Sequence, residues 1–419
     1  MIKELKNIMK SDFKNFPSRV KVLPAFLGVI IFAFLLYGVM ISIQPLLIGS
    51  SGIIDYATWE TKAVDDPLYR FLWFIGDMTE APFHKSILGS LGLVIFAFIA
   101  YMLARSKSKW QGFTISGGAS MFLWVFTSSI IGLALSVYLF GDNLINGWVP
   151  TFVPFVSVPA AVVLLYGGGW KNTLTGAIFG AIFTFPISNL IIEKILIPWN
   201  LPGLSGNTLG ICFGGIIVFE MCHALPWMEI PEKPQTEKPE EKPQEEPAKK
   251  VELKNEDPFN NSWFVRRLFA DLTEANFYGN EIASAGLVIG SIISWVLNPS
   301  HPAYGSLNFP ALLLSQALTG AFAIFIYYDK WKEHGWYPTF LPGVSIAPAV
   351  VLFFGGSIQS VLAGAILGAI AAPPLAHLIS RNVPNHWHPF VGNTFSMGVC
   401  TMVIAAMLKY MSTILGLVF

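Results

Sequence analysis

The sequence predicts an all-α polytopic membrane protein: one N-terminal helix, then two inverted repeats of five transmembrane helices, each repeat preceded by a partly inserted pore helix. Three observations carry this. Of 419 residues 53% are apolar and only 12% charged, with a mean hydropathy of +0.57; soluble globular chains carry about twice that share of charge. Uncharged runs of about 20 residues or more, the length a helix needs to cross a bilayer, recur along the chain at residues 22–54, 86–104, 110–141, 143–170, 172–192 and 195–219. Finally, four sequence blocks occur twice in the same order.

In chain order, residues 1–21 carry six basic residues and read as a cytoplasmic N-terminus. The apolar run 22–54 follows a leader too long and polar for a secretory signal and closes without a small-residue cleavage site, so an extra transmembrane helix is expected there. Residues 66–228 form the first repeat. Composition inverts over 229–258, where six prolines alternate with Glu and Lys; such a segment cannot bury apolar surface and is expected to be a disordered cytoplasmic linker. Residues 259–419 form the second repeat.

The duplication is explicit. Asp77-x-Thr79-Glu80-Ala81-x-Phe83 returns as Asp271-x-Thr273-Glu274-Ala275-x-Phe277, an offset of 194 between 77 and 271. Gly147-Trp148-x-Pro150-Thr151-Phe152 returns as Gly335-Trp336-x-Pro338-Thr339-Phe340, and Gly176-Ala177-Ile178 as Gly364-Ala365-Ile366, both offset by 188. Gly206-Asn207-Thr208 returns as Gly392-Asn393-Thr394, offset by 186. With the N-terminus inside and every segment spanning, 21 basic residues fall inside and 5, Lys85 among them, outside. An odd number of spans per copy turns the second copy over, an arrangement common in transporters and channels. The C-terminus is then external, and a plasma-membrane location is expected.

Composition also excludes other classes. The 26 basic and 26 acidic residues cancel, leaving no basic surface for nucleic acid. Cys212, Cys222 and Cys400 are spaced for neither disulfides nor zinc and read as packing residues. No nucleophile–base set or metal-ligand cluster is visible, so no enzyme activity, cofactor or metal is expected. His377 reads as a core histidine, and His386 and His388 as interfacial. Gly167–Gly169 and Gly355-Gly356 read as helix stops.

The Asp-x-Thr-Glu segments, residues 66–82 and 258–277, are amphipathic and too polar to span, so each is expected to enter the membrane part way with its charged end in protein or a vestibule. Asp77, Thr79, Glu80, Asp271, Thr273 and Glu274 supply acceptors for the N–H groups of a small polar solute. Phe83, Phe277, Phe152 and Phe340 supply flat apolar walls. Prolines at 150, 154, 159, 338, 342 and 348 break the third segment of each repeat, which would free carbonyls to line a route.

These motifs resemble the urea transporter family. Glu80-x-x-Phe83 and Glu274-x-x-Phe277 are similar to the Gln-or-Glu-x-x-Phe opening of that family's repeats. Phe152 with Val156, and Phe340 with Val344, resemble its Phe and Leu four residues apart. The run Pro186-Ile187-Ser188, Trp199-x-Leu201-Pro202 and Gly206-Asn207-Thr208 resembles its entry to the last helix. The family's Asn-Asn-Pro is replaced by His84-Lys85-Ser86 and Tyr278-Gly279-Asn280. The resemblance implies a passive channel for urea or a related amide, hydroxyls of Thr208 and Thr394 at the narrow point, tolerance of Gln for Glu274, and a homotrimer. The alternative keeps the fold but uses the four carboxylates for a small cation such as ammonium or guanidinium, or for proton-coupled transport.

Overall fold

The protein, a computed structural model, is described over residues 19–231 and 258–419. The expected linker over 229–258, apart from its ends, and residues 1–18 of the expected N-terminus lie outside the described residues. Within them every regular element is a helix. Eight helices are long and apolar enough to cross a membrane, and three shorter apolar ones, Val153–Tyr166, Glu281–Leu297 and Leu341–Phe354, give each half five apolar segments.

Helix α1 (Leu23–Leu47) holds only Ala33 and Met40 buried, which leaves most of its apolar surface to lipid. It is shorter than the apolar run 22–54, because Gly49 and the polar stretch beyond end it. At its two ends it is fastened to the second half: Arg19 Nε lies 3.1 Å from Asp329 Oδ2, and Gln44 Oε1 accepts from Trp295 Nε1 at 3.0 Å. After the short α2 (Tyr56–Lys62) comes α3 (Pro67–Asp77), started by the Asp66 carboxylate accepting from Leu68 N–H. The spans α4 (Ile87–Arg105), α5 (Ala119–Phe140), α6 (Val158–Tyr166), α7 (Trp170–Ile191, extended to Trp199 through a wider turn) and α8 (Leu204–Ala224) follow. The second half repeats the order with α9 (Asn261–Asp271), α10 (Glu281–Leu297), α11 (Phe309–Ile326), the short α12 (Tyr328–His334), α13 (Ile346–Phe354), α14 (Ile358–Ser380) and α15 (Phe390–Leu415).

The amphipathic segments are shorter helices than the sequence predicts. Only 11 residues of each are α-helical, and at 1.5 Å per residue that is about 17 Å, roughly half the hydrocarbon core. Each helix ends in tight turns because Phe83 and Phe277 take left-handed backbone angles, φ +63° and +60°, that send the chain back into α4 and α10. The third segments are broken as expected, by a 3-10 turn followed by a non-helical serine, Ser157 at φ −148° and ψ −124° or Ser345 at φ −144° and ψ −81°. Carbonyls at these breaks are met by hydroxyls: Ser157 donates to Val153 O and Ser345 to Leu341 O, both at 2.5 Å, and Ser128 donates to Pro159 O at 3.0 Å. The expected helix stops hold too, with Gly167 and Gly355 ending α6 and α13 at φ +89° and +85°.

Two crossings join the halves. Helices α4 and α10 pack so closely that a Cβ on Gly92 would lie 2.1 Å from Gly286 O, and one on Gly286 would lie 2.3 Å from Gly92 O. Only residues without a side chain allow this approach, the usual basis of tight helix contact in lipid. The two glycines are 194 residues apart, the offset of the Asp-x-Thr-Glu blocks, so equivalent positions meet reciprocally. Helices α8 and α15 form the second crossing, where the Cys212 thiol reaches Val391 O at 3.6 Å and Phe390 packs on Phe219.

Candidate functional site

Each Asp-x-Thr-Glu turn gathers a buried ionic cluster. In the first, Lys85 Nζ bonds Asp77 Oδ1 and lies 2.7 Å from Glu80 Oε2. Thr151 Oγ1 donates to Asp77 Oδ2 at 2.7 Å, and Trp148 Nε1 donates to Glu80 Oε1. Trp73 covers the ammonium, 3.5 Å from its ring centre, and donates from Nε1 to Thr151 Oγ1 at 3.1 Å. Lys85, Asp77 and Glu80 have essentially no exposed surface, so Lys85 is not the external loop residue that the sequence suggests.

The second cluster reproduces this circuit from different parts. Arg267 donates from Nε to Asp271 Oδ1 at 2.7 Å and from Nη2 to Glu274 Oε2 at 2.6 Å. Thr339 Oγ1 donates to Asp271 Oδ2 at 2.9 Å, and Trp336 Nε1 to Glu274 Oε1 at 3.2 Å. Trp331 lies over the guanidinium at 5.0 Å and donates to Thr339 Oγ1 at 3.2 Å. By the 194-residue offset, Arg267 stands where the first half has Trp73, and Gly279 where it has Lys85. The cation and the tryptophan over it thus come from different positions in the two halves, while each of the eight carboxylate oxygens keeps a donor. Charge-assisted bonds of this kind are the strong ones, and a buried pair survives only when such partners are complete.

The expected site residues other than the four carboxylates fall into three groups. Thr79 and Thr273 hold the two turns together. The Thr79 hydroxyl meets Gly76 O, Ser86 O and Ser90 Oγ, and that of Thr273 meets Ala270 O, Asn280 O and Ser284 Oγ; both residues are wholly buried. Phe83 sits 6.5 Å from the Tyr304 ring, in one cluster with Leu204 at the start of α8. Phe277 lies 6.1 Å from Phe390 at the start of α15 and 5.8 Å from His388. Phe152 and Val156 belong to the apolar cluster that takes in Val391 and Phe277, and Phe340 and Val344 to the one that takes in Ala275 and Met397; the first broken segment contacts the turn Glu274–Asn276. Thr208 and Thr394 lie one helical turn into α8 and α15, with their hydroxyls donating to Leu204 O and Phe390 O at 3.1 Å each. They face the crossing: Thr208 Oγ1 would be 2.9 Å from a Cβ on Gly398.

Sequence reasoning missed Lys85, Arg267 and the four tryptophans as members of these clusters. The repeated Gly-Trp-x-Pro-Thr block carried a signal for Trp148, Thr151, Trp336 and Thr339; nothing comparable marked the cations, because they do not repeat. A polar seam beside the first cluster was equally hidden. His84 Nδ1 bonds Ser291 Oγ at 2.7 Å, and its Nε2 bonds Gln316 Oε1 at 3.1 Å. His301 Nε2 accepts from Ile87 N–H at 3.2 Å while its Nδ1–H donates to Ile54 O at 2.6 Å. A ring nitrogen that accepts from a backbone N–H carries no proton, so His301 is neutral, and burial pushes its pKa down to about 4. His377 stacks between His334 and Tyr337, at 4.8 and 4.9 Å, and His386 pairs with Glu220 at 3.0 Å. Among the described residues no group of three or more His, Cys, Asp or Glu side chains is placed to hold a metal ion.

Length, hydropathy and lipid-facing surface together define this chain as a multi-span α-helical membrane protein. Comparison with family models, curated proteins and solved structures finds no match to any of them.

Proposed function

We propose that the chain is a passive channel or facilitator for a small neutral polar solute, urea or a related amide, built from two inverted repeats with one ionic cluster toward each side of a shared pathway. The supporting observation is that each pair of carboxylates already holds its own buried cation and a donor on every oxygen. Such fully hydrogen-bonded clusters offer no bare anionic cage, and of the four carboxylates Glu274, with about 21% of its side chain exposed, keeps surface for a solute's N–H groups. The reciprocal contact of Gly92 with Gly286 supports a twofold relation between the halves, and the basic-residue count supports a cytoplasmic N-terminus and linker. Glu80 with Phe83 then stands toward the outside, and Glu274 with Phe277 toward the inside. Thr208 and Thr394 lie between them.

A second reading rests on one further fact: each cluster has two carboxylates to one cation. If both ionise, a formal charge of −1 remains, which would suit ammonium, guanidinium or an exchanged proton. Flux into proteoliposomes separates the two. Urea entry independent of pH and voltage gradients is expected, and solute-dependent charge movement would overturn the neutral-solute reading.

A further inference from the structure

At the end of the first half where α4 finishes and α5 and α7 begin, the surface opens into a cavity of about 600 Å³ lined by Tyr101, Arg105, Ser120, Trp124, Thr127 and Trp170. Its one charged group is Arg105, exposed at the C-terminus of α4; its only hydrogen bond to a described residue runs from Nη1 to the Tyr101 hydroxyl at 3.2 Å. No carboxylate lines the cavity. Trp124 and Trp170 meet edge to face at 5.6 Å and form one wall, with Trp170 itself exposed. The hydroxyls of Ser120 and Thr127 add donors. Leu123 adds an exposed apolar side chain to the lining, and further along the same helices Met102, Leu174 and Ile178 are exposed apolar side chains as well.

We infer that this cavity binds the headgroup of an anionic phospholipid, with its acyl chains running along the exposed apolar side chains of the same helices. A guanidinium with no carboxylate partner among the described residues and two hydroxyls match a phosphate, and paired tryptophans match the glycerol level of a bilayer, where such rings concentrate. Those apolar side chains require an amphiphile; a free phosphate would use none of them. Lys107, Lys109 and Lys171 flank the site in sequence and add attraction for anionic lipid. Pro231, at the start of the linker, approaches Gly167 close to Trp170, so the linker is the competing occupant that a test must separate.

The test uses the full chain in detergent, with unfolding followed by circular dichroism while dioctanoyl phosphatidylglycerol is added. A rise in melting temperature is expected, with half-saturation at least tenfold below that of dioctanoyl phosphatidylcholine. Arg105→Gln is expected to raise that half-saturation at least tenfold; should it misfold, Ser120→Ala with Thr127→Ala serves in its place. The inference is overturned if both substitutions leave the phosphatidylglycerol response unchanged, if the two lipids act alike, if inorganic phosphate gives the same stabilisation, or if deleting residues 233–250 removes the response.

Discussion

Lys85 and Gly279 stand at the same place in the two turns: the N–H of each donates to the carbonyl of the matching threonine, Thr79 or Thr273, at 3.2 Å, and both have positive φ. In one turn the side chain at this place neutralises two carboxylates. In the other there is none, and a Cβ would fall 2.6 Å from Glu274 Oε2. The charge reaches the second cluster from Arg267 instead. Two different residues therefore meet one electrostatic requirement, that a buried pair of carboxylates has a cation.

Removing Lys85 should be more damaging than its lack of a counterpart at 279 suggests. Lys85→Met leaves Asp77 and Glu80 buried without their cation, a class of change that costs about 3–5 kcal/mol. Thermal unfolding of the purified protein should show a large loss, and Lys85→Gly should behave alike. Adding Trp73→Arg to Lys85→Gly is expected to restore part of it, because position 73 is where the second half carries Arg267. A double variant no more stable than Lys85→Gly would refute the equivalence of the two circuits.

Gly279 should not accept a side chain. With φ at +55°, an alanine there costs about 1–2 kcal/mol of backbone strain before the contact with Glu274 is counted. The expected outcome for Gly279→Ala is a lower melting temperature and reduced solute flux, while Gly147→Ala, a positive-φ glycine with nothing within 4 Å of its Cβ, should lose stability only.

The resemblance implies that Gln is tolerated in place of Glu274; the geometry argues otherwise. Glu274 receives Arg267 on one oxygen and Trp336 on the other, and an amide has only one acceptor oxygen. Its NH2 group must face a donor, at a cost of about 1–3 kcal/mol. Glu274→Gln should therefore lose stability and flux, and Trp336→Phe added to it should recover most of the stability loss. Additive losses in this double-mutant cycle would show that the tryptophan is not what penalises the amide.

Stability should also fall in acid through His301. Its pKa in the fold lies near 4, below the ordinary value of about 6.5, so between those values the unfolded chain binds the extra proton. The contribution is complete above about pH 6.5 and is lost as pH falls through 4. Melting temperatures measured from pH 4 to 8 should rise across that window, with a smaller slope in His301→Asn. An unchanged slope would remove His301 as its source.

Topology has a direct test. A cysteine placed in the linker at Lys242 should react with an impermeant reagent only after the membrane is opened, and one at Val418 should react from outside, in a background with the three native cysteines replaced. Reversed labelling at either position would sink the proposed orientation.

What the sequence by itself determined is what depends on composition and spacing. Long uncharged runs have only one low-energy fate in a bilayer, so the spans were legible, as were the broken third segments, since proline removes a helical N–H wherever it stands. The duplicated blocks showed that Asp77 and Asp271, Glu80 and Glu274 belong together. Only the tertiary structure decided what those carboxylates do, because an ion pair is fixed by convergence in space and not by register. Lys85 read as a loop residue, and Arg267 was one of many basic residues near the linker; each became the centre of a cluster only when a turn folded its carboxylates and a distant tryptophan around it. The glycines of α4 and α10 are alike in sequence to any others, and it is the helix crossing that makes Gly92 and Gly286 irreplaceable.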